Sequence, residues 1–570
     1  MKASDYVAAF LAEQGVTTVY ELTGGMITHL LDSLHHVDSI RIVSVHHEQA
    51  AAFAAEGGAR MTGVPGVALA TSGPGATNLI TGIGSCYFDS VPAVFITGQV
   101  NAYELRRESG VRQAGFQETD IVAVASPLTK AAWQVTLAED IPRMLEAAFR
   151  LALEGRPGPV LLDIPMDLQR QEIEAVPRPI DPPLREAPAD IEEVLDRIAL
   201  SKRPLLLAGG GVRSSGAAAV VRRFAESLRL PVAYSLMGVD VLSYDHPLHV
   251  GLIGTYGNRW ANLALRDADC LLVVGARLDV RQTGADTAAF IADKTLIHVD
   301  VDPAQLAWRA RANLDIKSDV EAFASSALEC ADGRAWPDWS DWHKEIAEYR
   351  RAWPDENELA GVVGINPSEL MHALSARAQE ASAYVTDVGQ NQMWAAQSLR
   401  LGDCQRFLTS GGMGAMGFAL PAAIGAALAA PGSPVVVIAG DGGVQVNIQE
   451  LETIARLGLP VKMVVLNNEC LGMVRQFQDE LFESRYQSTV WGYGAPDFVA
   501  VAKAYRIAAR RVPSDLELGE ALDWLMSDRN APALLEVKID TGTCVRPKVS
   551  FGNAVFLMDP PPPQTDVRGG

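Results

Sequence analysis

The sequence predicts an α/β protein built of three doubly wound parallel-sheet domains. Three observations predict it. The chain has 570 residues, more than one hydrophobic core can serve, and three domains is the natural division. Short apolar runs alternate with amphipathic helical stretches, the rhythm of a parallel sheet covered on both faces. The runs end repeatedly in glycine-rich or polar turns, at the strand ends where open α/β sheets bind ligands.

In chain order, Ser4 is an expected helix N-cap; Val7, Phe10 and Leu11 recur at helical spacing, and Gly15 ends the helix. Residues 19–22 read as a strand running into Thr23-Gly24-Gly25. A second strand, 40–45, ends at His46-His47-Glu48-Gln49, and an alanine-rich helix follows over 50–61. Strands at 67–70 and 93–97 end in Thr71-Ser72-Gly73-Pro74-Gly75-Ala76-Thr77-Asn78 and in Gly98-Gln99; the strand 160–164 closes a first domain spanning 1–176. Proline and charge over 177–188 predict a linker. A second domain, 190–335, carries a strand at 204–208 that runs into Gly209-Gly210-Gly211, one at 270–274 ending in Gly275-Ala276-Arg277, and one at 296–301. A second linker, charged and with several tryptophans, is expected around 336–366. The third domain, 366–547, has a strand at 383–386 ending in Asp387-Val388-Gly389-Gln390-Asn391. The tail, 548–570, ends in a proline run and reads as an extended or disordered arm. The apolar stretch 418–439 is broken by Pro421, Pro431 and Pro434, so it reads as a buried helix and strand and not as a membrane span.

Residues 434–476 organise the chain. An apolar run at 435–439 enters Gly440-Asp441-Gly442-Gly443; an amphipathic segment over 448–457 stops at Gly458; a second apolar run at 461–466 enters Asn467-Asn468. The reading is strand, tight turn, helix, strand: a parallel βαβ unit. Asp441 and Asn468 then sit just past the ends of adjacent strands, where a carboxylate and an amide oxygen suit a hard cation such as Mg2+. The glycines let backbone N–H groups approach a diphosphate.

Gly440-Asp441-Gly442 with Asn467-Asn468 resembles the thiamine-diphosphate signature, and Leu471-Gly472-Met473-Val474-Arg475-Gln476 resembles the acetohydroxyacid (acetolactate) synthase branch, in a flavin-containing carboligase group. The likeness covers about 4–547. It implies a pyrimidine-binding first domain, a central FAD-binding domain and a diphosphate-binding third domain, the first and third structurally related. It implies thiamine diphosphate, Mg2+ and FAD as cofactors. By the same resemblance Glu48, in His47-Glu48-Gln49-Ala50-Ala51, is the glutamate that hydrogen-bonds the aminopyrimidine and assists loss of the C2 proton. Taken alone, it is also a carboxylate at a helix start. Pro74 and Asn78 mark the pyrimidine-side loop, and Gln117, Arg281 and Phe477 join Glu48 at the reacting centre, Arg281 gripping an acceptor carboxylate with its bidentate fork. Gly389, Gln390, Asn391, Gly442 and Gly443 hold the diphosphate; Leu471, Gly472 and Met473 flank it. Met416 is the wedge beneath the cofactor, and the Gly414 carbonyl accepts from its amino group. Asp441, Asn468 and the backbone carbonyl of Cys470 bind the metal. Arg156, Gly209, Gly210, Gly211, Met237, Gly275, Arg277, Asp279, Asp300 and Asp319 match the FAD set. From spacing alone the triple glycine is only a strand-to-helix turn, because it lacks a full GxGxxG with a downstream acid.

The departures from the family pattern lie in the substrate pocket: Met166 for a lysine, Val280 for an aspartate, Thr255-Tyr256 for a methionine–histidine pair, Phe477 for a tryptophan. The run Glu21-Leu22-Thr23-Gly24-Gly25-Met26-Ile27 is similar to carboligases that attach a two-carbon branch to a ketosugar. The implied reaction is decarboxylation of pyruvate and transfer of the hydroxyethyl unit to a carbonyl acceptor. Alternatives are branch transfer to a nucleotide-linked ketosugar, a flavin-dependent pyruvate oxidase, and a catalytically silent regulatory paralogue, which retention of Glu48, Asp441 and Asn468 opposes. The resemblance also implies a homodimer or homotetramer with active sites at the chain interface; it leaves a regulatory subunit open.

The net charge of −21 excludes a nucleic-acid partner, which needs a basic face. The six cysteines form no CxxC and no Cys/His zinc spacing, so reduced thiols are expected; no signal peptide is evident, and the expected location is cytoplasmic with no membrane partner.

Overall fold

The apolar runs become three six-stranded parallel sheets in the computed structural model, which describes residues 1–106, 109–185, 187–306 and 308–561. The first sheet holds β1 (Thr18–Leu22), β2 (Arg41–Ser44), β3 (Gly66–Ala70), β4 (Ala93–Gln99), β5 (Ala131–Gln134) and β6 (Pro159–Pro165), in the order β2-β1-β3-β4-β6-β5. The central sheet holds β7 (Pro204–Ala208), β8 (Val232–Tyr234), β9 (His249–Leu252), β10 (Cys270–Val274), β11 (Thr295–Asp300) and β12 (Leu314–Lys317), in the order β12-β11-β10-β7-β8-β9. The third holds β13 (Ala383–Thr386), β14 (Arg406–Leu408), β15 (Val435–Gly440), β16 (Val461–Asn467), β17 (Ala508–Val512) and β18 (Ala533–Lys538), in the order β14-β13-β15-β16-β18-β17. The first and third sheets share one winding. The central sheet, read from its other edge, has the 3-2-1-4-5-6 winding of dinucleotide-binding folds. Strand order reverses between β1 and β3, between β7 and β10, and between β13 and β15. The crevice outside the strand ends at such a point is where this architecture takes a ligand.

The strands form where they do because both sheet faces are covered. β3, β4, β6, β7, β10 and β16 are buried at every residue, so their sequences are continuous apolar runs and not alternating ones. The first and third domains meet along the helices Glu48–Thr62 and Ala419–Ala429. Small residues make that approach close: a Cβ on Gly57 would lie 2.2 Å from the Ala422 carbonyl oxygen, and one on Gly425 would lie 2.0 Å from that of Ala54. Both partners are helix backbone and cannot step aside. Gly57→Val is therefore expected to destabilise the protein by about 3 kcal/mol, the upper range for overpacking. A denaturant midpoint equal to wild type would show that the two helices are free to separate.

Four segments differ from expectation. Ser4 is not the first N-cap: the helix runs Ala3–Glu13 behind Lys2, and Ser4, buried inside it, accepts from the Ser33 hydroxyl at 2.8 Å. The turn after β15 is absorbed into a helix, Asp441–Val446, that starts on the residue after the strand. The expected second linker contains the helix Ser340–Ala352, and its tryptophans are core: Trp339 and Trp342 are buried and donate to the Ser201 and Pro204 carbonyls, both at 3.0 Å. The tail is not free over 548–561. Lys548–Val549 pairs antiparallel with Met558–Asp559, and Val549 N–H donates to the Thr255 carbonyl at 2.7 Å. The remainder, 562–570, lies outside the described residues. Among the described residues no helix is long and apolar enough to cross a membrane.

Candidate active site

The third sheet collects the residues expected around the diphosphate and metal. β15 and β16 are neighbours, with Gly440 opposite Leu466, so Asp441 and Asn468 stand at adjacent strand ends. The side chain of Asp441 is buried, and its Oδ2 has no hydrogen-bond donor among the described residues. Burial raises its carboxyl to about 6, against the pull of the Tyr493 hydroxyl. A buried carboxylate oxygen without a donor is costly unless a cation faces it. Asn468 Oδ1 accepts from Cys470 N–H at 3.3 Å, and its Nδ2 donates to Gln390 Oε1 at 3.0 Å, which aims the amide. Burial pushes the Cys470 thiol up to about 12, and a hard cation favours the residue's carbonyl oxygen over its sulfur. This all-oxygen set fits a hard divalent ion such as Mg2+.

Met416 lies against the same turn: its Cε is 3.1 Å from where a Gly442 Cβ would stand. Gly389 precedes the helix Gln390–Ser398. Asn391 gives its amide hydrogens to the Asp387 and Ile438 carbonyls at 2.7 and 3.1 Å, so toward a diphosphate this turn offers backbone and not that amide. Gly472 opens the helix Gly472–Leu481, with Leu471 and Met473 beside it and Phe477 on its exposed face, 47% exposed.

Asp387 was absent from the expected set. It follows directly on β13, is buried, and accepts N–H bonds from Val388, Gly417 and Ala419 at 2.9, 3.0 and 3.0 Å. Desolvation raises its carboxyl to about 6 in spite of those bonds. It ties the strand end to the loop carrying Gly414 and Met416. The local sequence showed an acid at a strand end; its partners lie a full helical unit away.

The first sheet collects the pyrimidine-side residues. Glu48 opens its helix, is buried, and accepts from Asn78 Nδ2 at 2.9 Å. Pro74 starts the short helix Pro74–Asn78, and the bare Gly75 leaves room beside Glu48 Oε1. Gln117, at φ 66°, packs against Gly73. Glu48, the 73–78 turn and Gln117 thus share one edge. Among the described residues no hydrogen bond joins Glu48 to the third domain; its neighbour Gln49 accepts from Asn447 at 3.1 Å.

The central expectations converge on one cleft of about 880 Å³. Arg156, Met237, Arg277, Asp279, Asp300 and Asp319 line it, Gly210, Gly211 and Gly275 floor it, and Arg281 stands at its side. The turns after β7 and β10, at the switch point, interlock: Gly211 N–H donates to the Gly275 carbonyl at 2.9 Å, and a Cβ on Gly209 would meet that oxygen at 2.1 Å. Asp279 and Asp319 also cap the helices that follow them. The cleft's size, its place at the switch point and its mixed charge fit a dinucleotide such as FAD. Thr255 and Tyr256 line it as well, with the Arg281 carbonyl held by Thr255 N–H at 2.7 Å. Gly414 reaches the cleft from the third domain; Glu48, Asp441 and Phe477 do not line it.

Two like-wound sheets, with a sheet of dinucleotide-binding winding between them, define a class. The chain matches the thiamine pyrophosphate enzymes in three parts: the N-terminal TPP binding domain over residues 1–124, the central domain over 191–327 and the C-terminal TPP binding domain over 387–537. It is a thiamine pyrophosphate enzyme. Within that class it is 36% identical over 558 residues to the acetolactate synthase large subunit of Lactococcus lactis subsp. lactis (strain IL1403), covering 96% of this chain and 94% of that protein. It is 37% identical over 554 residues to the acetolactate synthase isozyme 2 large subunit of Escherichia coli (strain K12), covering 97% and 98%. It is 38% identical over 573 residues to the chloroplastic acetolactate synthase 2 of Nicotiana tabacum, covering 97% and 84%. The chain belongs to the acetolactate synthase large-subunit family.

Proposed function

We propose that the enzyme decarboxylates pyruvate and transfers the hydroxyethyl unit to a carbonyl acceptor, with a second pyruvate giving acetolactate. The observation that carries this is the Asp441–Asn468 pair at adjacent strand ends, in a chain alike to acetolactate synthases over nearly its whole length. Thiamine pyrophosphate, when bound, supplies the electron sink for decarboxylation and carbon–carbon bond formation. Asp441, Asn468 and the Cys470 carbonyl hold Mg2+; the 389–391 and 442–443 turns cradle the diphosphate, flanked by 471–473. Gly414 and Met416 would lie against the cofactor. Glu48, oriented by Asn78, would hold the proton that the aminopyrimidine exchanges, and Pro74 and Gln117 would wall that side. Arg281 and Phe477 meet the acceptor.

The central cleft takes FAD through Arg156, the Gly209–Gly211 turn, Met237, Gly275, Arg277, Asp279, Asp300 and Asp319, as a non-cycling group. The family resemblance supports a homodimer or homotetramer in which two chains complete each site. The relatives are called large subunits, so a smaller regulatory partner is part of this reading. The six free cysteines suit a reducing, cytoplasmic setting.

The test is product analysis of the purified enzyme with thiamine pyrophosphate and Mg2+. Pyruvate alone is expected to give acetolactate, with the flavin yellow and staying oxidised. Flavin bleaching by pyruvate without acetolactate would replace this reading with that of a pyruvate oxidase. Acceptor choice is the second readout. Phe477 lacks the bulk of the family's tryptophan, and Met166 and Val280 make the surroundings less charged. In competition the enzyme is expected to show little preference for 2-ketobutyrate over pyruvate, well below the 10–200-fold that one methylene can give, roughly 1–3 kcal/mol. Phe477→Trp is expected to raise that preference. A strong native preference that the substitution leaves unchanged would show that position 477 does not select the acceptor.

A further inference from the structure

The loop 409–417 belongs to the third domain, yet the first domain holds one end of it. Asp89 ends the helix Ile80–Asp89, and its side chain is 2% exposed. Its Oδ2 accepts from Gly411 N–H at 2.9 Å, and its Oδ1 accepts from Gly412 N–H at 2.6 Å. Arg60 donates to the same Oδ2 at 2.8 Å and to the Thr409 carbonyl at 2.8 Å, and it is held in turn by Glu56 at 2.5 Å. Alongside, the Ser85 and Ser410 hydroxyls are 3.2 Å apart, and Ser410 Oγ accepts from Ala415 N–H at 3.2 Å. The loop is glycine where it must be: a Cβ on Gly412 would stand 2.9 Å from Asp89 Oδ1 and 2.7 Å from Phe88 Cβ. At the far end Asp387 takes the N–H groups of Gly417 and Ala419. Two buried carboxylates, one from each domain, thus clamp the loop on either side of residues 413–416.

We propose that Asp89, fixed by Arg60, is a positioning residue that sets the Gly414–Met416 segment against thiamine pyrophosphate, so that the first domain controls cofactor geometry in the third. This rests on the reading that Gly414 and Met416 address the cofactor. The physical reason is the strength and number of the bonds. Each is charge-assisted and at least partly buried, and two successive amides received by one carboxylate fix both the height and the tilt of the backbone. An apolar contact would fix neither. Asn at this position keeps the shape but turns one acceptor into a donor, which faces either an amide N–H or the Arg60 guanidinium.

The experiment uses the full-length enzyme with Mg2+ at a fixed concentration. Thiamine pyrophosphate affinity is read by tryptophan fluorescence titration, the bound cofactor's aminopyrimidine by near-UV circular dichroism, and the fold by melting of cofactor-free protein. Asp89→Asn is expected to weaken the cofactor roughly tenfold or more, the loss of one hydrogen bond to a charged group. It is also expected to alter the dichroism of the bound cofactor and to lower kcat, with KM for pyruvate unchanged. A lower melting temperature with unchanged affinity and dichroism would make Asp89 a fold-stabilising acid only, and would overturn the proposal. If Asp89→Asn does not fold, Arg60→Lys keeps the buried charge but loses the fork. A weaker shift in the same direction is expected of it, and unchanged cofactor affinity overturns the proposal. Met416→Ala separates the two layers. If it leaves affinity and dichroism untouched, the loop does not address the cofactor and the underlying reading fails; if it changes them while Asp89→Asn does not, only the positioning claim fails.

Discussion

Asp441→Ala is expected to abolish activity and to weaken thiamine pyrophosphate binding in the presence of Mg2+ by at least about 100-fold. The scale follows from metal sites in general: removing a group that merely supports a ligand costs about 10–100-fold, so removing a charged ligand costs no less. The geometry makes Asp441 the pivotal one. It is the single carboxylate of the proposed metal set, beside the Asn468 amide and the Cys470 carbonyl, and neutral oxygens alone do not offset the charge of a divalent ion. It also stands where β15 turns into its helix, so a metal held there would sit at the same strand end as the glycine turn proposed for the diphosphate. Stability of the cofactor-free protein is a separate readout: alanine relieves a buried Oδ2 that lacks a donor and forfeits the bond from the Tyr493 hydroxyl. Calorimetric titration of cofactor with and without Mg2+, set beside melting of the cofactor-free variant, checks both halves. Full activity of the wild type after exhaustive chelation, or of the variant in Mg2+, would remove the metal from this reading.

The same residue shows why so much of the architecture was readable before any coordinates. A strand buried on both faces has no polar alternation to hide it, so runs such as Val435 to Ala439 and Val461 to Leu466 stand out, and whatever follows them is at a sheet edge. Two adjacent runs therefore place Asp441 beside Asn468 by strand pairing alone. The glycine turns after β7 and β10 were legible in the same way as strand ends, but their role around a dinucleotide came from the family resemblance. What local sequence could not show are contacts made by one side chain to distant backbone. Asp387 reaches Gly417, 30 residues on, and Asp89 reaches Gly411, 322 residues on. Neither acid differs in its neighbours from a solvated one. The tryptophans near 339 were misread for a related reason. They cluster among charges, as in a linker, yet their indoles insert beneath β7 and donate to backbone. The tail's pairing across 548–559 depends on the central domain and leaves no periodic trace. The pairing of Glu48 with the aminopyrimidine was legible only through resemblance, and Glu48 and Asp441 stand at the ends of separate sheets.

Glu48→Gln is expected to fold normally, to bind thiamine pyrophosphate with near wild-type affinity, and to lose about 10²–10⁴-fold in carboligation. That range is the contribution of a positioned general acid–base group. Glutamine fits the same space at the start of the helix, and its amide oxygen can still accept from Asn78 Nδ2, as the carboxylate does at 2.9 Å. What it cannot do is exchange a proton with the aminopyrimidine. The helix-end charge is a separate and small effect: an acid in the first turn contributes roughly 0.3–1 kcal/mol to stability, so the melting temperature moves little. The two readings of Glu48, proton carrier or helix-end carboxylate, thus separate cleanly in one variant. A proton carrier gives a large fall in kcat with stability nearly unchanged; a helix-end carboxylate leaves kcat near wild type and lowers the melting temperature only slightly. Asn78→Ala tests the orientation, since it frees the carboxylate without removing it, and a smaller loss in kcat is expected there. Wild-type turnover in Glu48→Gln, measured as acetolactate formed from pyruvate at saturating cofactor, would assign Glu48 to the helix end and leave the proton transfer to another group on that edge.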